Sequence, residues 1–110
     1  MSDWYPFKNG ESIGQTGSEG GLILRDEEHR DGSRVTLEHR ANRFAVTCGI
    51  YGWMVHTRLF DSENAALMGF DETKEELTNI LVFIPLKDEA SDQNMRVAKG
   101  AIADFVERCQ

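Results

Sequence analysis

Polar and apolar residues change rhythm twice along this chain, dividing it into an irregular arm, a run of strands and a pair of helices. Residues 34–39, RVTLEH, alternate strictly, with Val35 and Leu37 to one side and Arg34, Thr36 and Glu38 to the other. That is the two-residue period of a strand with one covered and one wet face. Before it, 22–26 reads as a strand that ends at the charged EEHRDG segment, where Asp31 and Gly32 supply a turn.

Residues 44–60, FAVTCGIYGWMVHTRLF, carry a single charge, Arg58, in 17 positions and read as the central hairpin of the core. A two-residue turn at Tyr51 and Gly52 pairs Ile50 with Trp53, Cys48 with Val55, Val46 with Thr57 and Phe44 with Leu59, all on one face. The other face then receives Thr47 opposite His56 and Ala45 opposite Arg58. With Leu37 beside Val46, Thr36, Thr47 and His56 form one row and Glu38, Ala45 and Arg58 the next. Tyr-Gly is not the favoured two-residue turn pair, so a longer loop over 49–52 is the alternative.

After Phe60 the period lengthens to that of a helix. Asp61 or Ser62 caps a helix over 62–84 with Ala66, Phe70, Thr73, Leu77, Ile80, Leu81 and Ile84 on its buried stripe. Gly69 is a candidate break, since glycine costs about 1 kcal/mol in a helix interior, and Pro85 ends the element. Ser91 or Asp92 begins a second helix with Met95, Ala98, Ile102, Phe105, Val106 and Cys109 on its stripe. The order ββββαα predicts an α+β fold, a four-stranded antiparallel meander followed by two helices packed on one face. Residues 1–21 read as an arm of a single domain spanning 1–110, with Trp4, Tyr5, Pro6 and Phe7 as an aromatic anchor and five glycines after it.

Charge changes this picture more than bulk composition does. The net charge is −7, and the acid lies late: residues 61–110 set eleven acids against five bases, whereas 22–60 set five against six arginines. Such a surface repels phosphate backbones, which argues against nucleic-acid binding. The N-terminus has no apolar signal region and no run reaches about 18 apolar residues, so a cytoplasmic protein without membrane contact is expected. Cys48 and Cys109, 61 apart, match no zinc spacing and are expected to be thiols. No metal or cofactor is expected: the glycine arm lacks the Lys-Ser/Thr of a phosphate loop. Asp26, Glu27, Glu28 and His29 lack the ligand spacing of a calcium loop and read as a solvated connection.

These observations favour a small, acidic, non-catalytic protein-interaction domain that binds a protein partner or pairs with itself as a homodimer. The open sheet face or edge and the Trp4 anchor supply its surface. In size and charge the chain resembles small acidic immunity proteins that inhibit nuclease toxins. The acidic helix faces allow an alternative, an inhibitor of a basic partner gripped by Glu72, Glu75 and Glu76 beside Asp71. A third reading is a small enzyme or ligand binder on the exposed sheet face: His56 titrates near neutrality, Arg58 can hold an anion, and Thr47 and Glu38 flank them. Cys48, turned to the core and away from His56, is expected to be a buried hydrophobe rather than a nucleophile.

Overall fold

In the computed structural model, which describes residues 3–85 and 91–110, an antiparallel sheet precedes two helices, as the sequence pattern predicts. The strands are β1 (Trp4–Pro6), β2 (Leu22–His29), β3 (Ser33–Arg40), β4 (Arg43–Ile50) and β5 (Met54–Phe60), and the helices are α1 (Glu63–Leu81) and α2 (Asp92–Arg108). The sheet has five strands in the order β1-β2-β3-β4-β5 rather than four. The added strand is the predicted aromatic anchor, paired with the end of β2 through Trp4 and His29. β2 runs on to His29, through the segment expected to be a solvated connection. Its continuation gives β1 something to pair with. Met1 and Ser2 of the arm lie outside the described residues.

Both helices cover one face of the sheet. Val35 and Leu37 of β3 and Val46, Cys48 and Ile50 of β4 meet Ala66, Phe70, Leu77 and Ile80 of α1 and Phe105 of α2 in the main core. The predicted pairing of Leu37 with Val46 holds. The Ser62 side chain accepts from the Ala65 amide and the Ser91 side chain from the Asn94 amide, so both helices begin on the side-chain caps that their sequences predict. α1 stops at Leu81, three residues short of the predicted end, and Phe83 and Ile84 form turns back to Ile80 and Leu81 before Pro85.

The hairpin from β4 to β5 departs from its predicted register. Ile50 pairs with Met54 and Cys48 with His56, so the loop holds three residues, 51–53, instead of two. A two-residue turn of the favoured hairpin type needs positive φ at both central positions, which a bulky tyrosine resists. Only Gly52 takes it, at φ 80, with the Trp53 amide bonded to the Ile50 carbonyl at 2.9 Å. Glycine at the third position of a reverse turn is the type II pattern, whose twist does not match the strands. Trp53 is the extra residue needed before β5 can rejoin the ladder. Because side chains alternate with period two, one added residue turns all of β5 over. Met54, His56, Arg58 and Phe60 face the helices, and Val55, Thr57 and Leu59 face outward.

α1 passes through Gly69 without a break. A Cβ there would collide with the Phe60 ring, so glycine lets β5 and α1 approach closely. We expect Gly69→Ala to destabilise the fold, because overpacking of about 1–3 kcal/mol outweighs the roughly 1 kcal/mol that alanine gains in helix propensity. In a Phe60→Leu background the same change should be stabilising. Urea denaturation of the four variants checks this, and a Gly69→Ala protein more stable than wild type would contradict the packing.

Candidate interaction surface

The outer face of the sheet is divided into a roofed half and a bare half. Over β2 and β3 lies the glycine-rich arm, which follows a turn at Phe7–Gly10 and folds back on the start of β2. Gly14 donates to Ile23, Ile23 to Gln15, and Gly17 to Gly21 through backbone bonds of 2.9 Å. Glu38, only 1% exposed, holds this roof down. Its carboxylate accepts the Gly21 amide at 3.0 Å and the Glu19 amide at 3.2 and 3.3 Å. A carboxylate buried among amide donors is charge-assisted bonding that offsets its loss of water. Next to it, buried Asp26 takes Arg34 in a two-point ion pair at 2.9 and 2.6 Å and accepts Thr36 at 3.3 Å. That pairing holds the guanidinium pKa above its ordinary value. The Arg34 guanidinium also lies 3.7 Å from the centre of the Phe7 ring. The face expected to be wet is therefore covered over these two strands.

Over β4 and β5 the outer face is bare, and its charge is confined to one end, where Arg43 of β4 lies near Ala45 and Leu59. β4 contributes Ala45, Thr47 and Gly49, and β5 contributes Leu59, Thr57 and Val55 opposite them. Thr47 and Thr57 hydroxyls share a bond of 3.3 Å. A groove of about 590 Å³ runs between Gly17 and Ser18 of the arm and Val55, over Thr36, Thr47 and Gly49. Among the polar side chains along it, Arg34 and Thr36 are bonded to Asp26, Thr47 to Thr57 and Tyr51 to Glu28.

The four residues read as a catalytic group do not meet. Thr47 is on the outer face and Glu38 lies beneath the arm, while His56 and Arg58 are on the helix side. His56 donates from Nε2 to the Cys109 carbonyl at 2.7 Å and sets its ring edge-on to Phe105. Arg58 donates to Thr73 at 2.9 Å and pairs with Glu72 at 3.0 Å. The rows are instead Thr36, Thr47, Thr57 and Glu38, Ala45, Leu59. The same turn of β5 puts Cys48 and His56 on one face as cross-strand partners, against the expected separation. Burial nevertheless pushes the Cys48 thiol up to about 12, with Arg58 only partly opposing it. The Cys109 carbonyl fixes the His56 proton on Nε2, and burial favours the neutral Cys48 thiol over the reactive thiolate. Cys109 is also a free, buried thiol raised by burial.

The residues read as a partner-binding set are largely engaged within the chain. Glu72 holds Arg58, and Glu76 takes Arg108 at 3.1 Å through both oxygens. Glu75 is exposed. Trp4 packs onto its own protein, donating to Thr78 at 2.9 Å and meeting His29 edge-on. In the cluster Asp26 to His29, alternate side chains leave opposite faces. Glu27 pairs with Lys74 at 2.8 Å, and Glu28 accepts the hydroxyls of Tyr5 and Tyr51. Burial first, then the bond to Glu28, raises the Tyr51 pKa. Among the described residues no group of three or more His, Cys, Asp or Glu could hold a metal ion. No helix among them is long and apolar enough to cross a membrane.

No protein-family model matches the chain, and neither does any curated protein or solved structure. Val55 and Leu59, expected in the core, lie instead on the outer face. The signal that could have recovered them is Tyr51, whose bulk disfavours the shorter turn.

Replacing Glu38 by Gln keeps the shape but removes the charge and turns an amide toward backbone donors. We expect a loss of about 1–3 kcal/mol and faster cleavage after Glu11 and Glu19 by a glutamate-specific protease. Unchanged cleavage would mean that Glu38 does not hold the arm.

Proposed function

We propose that this chain is a non-catalytic protein-interaction domain that docks a partner along its edge strand β5. One contrast carries the reading. The two edges of the sheet are treated differently: β1 is three residues long and contains Pro6, the usual means of blunting an edge against unwanted pairing. β5 has seven residues, neither proline nor lysine, and outward apolar side chains, with Val55 79% and Leu59 58% exposed. Its one full charge, Arg58, points to the helices and is met by Glu72. No backbone bond from a turn, loop or cap reaches β5 among the described residues. A strand edge with a row of free donors and acceptors and alternate apolar side chains supports recognition by strand addition.

Selection of extended peptides from a displayed library tests the proposal. Enriched sequences should alternate apolar residues and bind with little dependence on salt, because the docking strip carries no charge. Val55→Lys and Leu59→Lys should each weaken them by about tenfold or more, given about 1.5–3 kcal/mol for burying such a side chain. Peptides that bind both variants as well as wild type, or that need the acids of α1 instead, would overturn it.

A further inference from the structure

We propose that the partner on β5 is a second copy of this chain, paired antiparallel about a two-fold axis through Thr57. This inference rests on the β5 docking reading and names its occupant.

The geometry of the strand is self-complementary about that residue. An axis at Thr57 sets Val55 against Leu59 of the second copy, Thr57 against its equivalent, and Leu59 against Val55 of the second copy. The two most exposed large apolar side chains of the outer face thus cover each other. The free edge agrees with the same axis. Along an antiparallel strand, residues of one parity bond to the neighbour already present and those of the other parity point outward. Whichever parity faces outward on β5, reflection about Thr57 returns it to itself: 55 with 59, or 56 with 58 and 54 with 60. Outward donors and acceptors therefore meet their counterparts in register.

Charge favours a like copy at this strip. A protein of net charge −7 must meet itself where its acid is absent. Ala45, Thr47 and Gly49 of β4 and Val55, Thr57 and Leu59 of β5 form a neutral surface. On the helix side, Arg58 would lie opposite His56 of the second copy, but Glu72 already neutralises it at 3.0 Å. A basic partner would find no counter-charge on this strip. Apolar surface also continues past the strand. Met68, 74% exposed, lies one helical turn from Glu72 and beside Gly69, which abuts Phe60. The axis brings Phe60 level with Met54 of the second copy, so Met68 extends the contact toward the roughly 1,200 Å² that stable interfaces bury.

Cross-linking reads the axis directly. A residue on a two-fold axis faces its own copy at a Cα separation of about 4.5–5.5 Å, within disulfide reach. Thr57→Cys, oxidised by air with copper–phenanthroline, should be trapped as a covalent dimer. Val55→Cys and Leu59→Cys should not, since each sits four residues out of register with itself. The double variant Val55→Cys/Leu59→Cys should cross-link, which covers the case in which Thr57→Cys fails to fold. Wild type, whose thiols are buried, is the control, and light scattering of it should give twice the chain mass. A wild-type monomer at about 0.1 mM, a concentration ample for micromolar affinity, would overturn the proposal. So would a dimer that neither Thr57→Cys nor the double variant traps. If peptide binding that depends on Val55 and Leu59 survives in that event, only the second copy is excluded. If it is lost as well, the β5 docking reading falls with it.

Discussion

Three residues, Tyr51, Gly52 and Trp53, join β4 to β5, and their number decides what β5 offers to the rest of the molecule. With three, His56 reaches the C-terminus of α2, Arg58 reaches Glu72 and Thr73, and Phe60 lies over Gly69. Each contact couples the last strand to a helix. They depend on one another, since a strand inverted by one residue would forfeit all of them together and turn Val55, Thr57 and Leu59 to the helices. The same count that binds β5 to α1 and α2 leaves its apolar alternates outside. The apolar outer edge follows from the packing of the inner face.

A second constraint acts on the opposite half of the sheet. Glu38 sits in a strand whose outer face would otherwise be wet, and its carboxylate gathers the arm by the amides of Glu19 and Gly21. Asp26, Arg34 and Phe7 continue the roof in the other direction. Covering β2 and β3 while leaving β4 and β5 bare gives the sheet one closed and one open region. The short strand β1 closes the far edge. What remains accessible is continuous: the outer faces of Ala45, Thr47 and Gly49, then β5, then Met68 around the edge.

Much of this architecture is legible in the sequence because it rests on local periodicity. The alternation at Val35 and Leu37, the helical stripe from Ala66 to Leu81, and the caps at Ser62 and Ser91 each declare themselves within a few residues. β1 does not, since three residues with a proline are too few to display a period. The roof over Glu38 is a contact between segments some twenty residues apart and leaves no local pattern. The faces of β5 are not declared by local pattern either. Apolar residues of β5 fall at both parities, Met54 and Phe60 on one and Val55 and Leu59 on the other, which makes both registers look acceptable, and only the turn chemistry of Tyr51 distinguishes them. Alternation alone therefore places His56 and Arg58 at the surface and Val55 and Leu59 in the core.

All that concerns β5, including its outward edge and the self-complementary positions around Thr57, stands on that register. Proton–proton contacts across the hairpin, measured by nuclear Overhauser spectroscopy on isotope-labelled protein, test it most directly. Backbone contacts pairing Cys48 with His56 and Thr47 with Thr57 are expected. Contacts pairing Cys48 with Val55 and Val46 with Thr57 would mean a two-residue turn, and would return Val55 and Leu59 to the core.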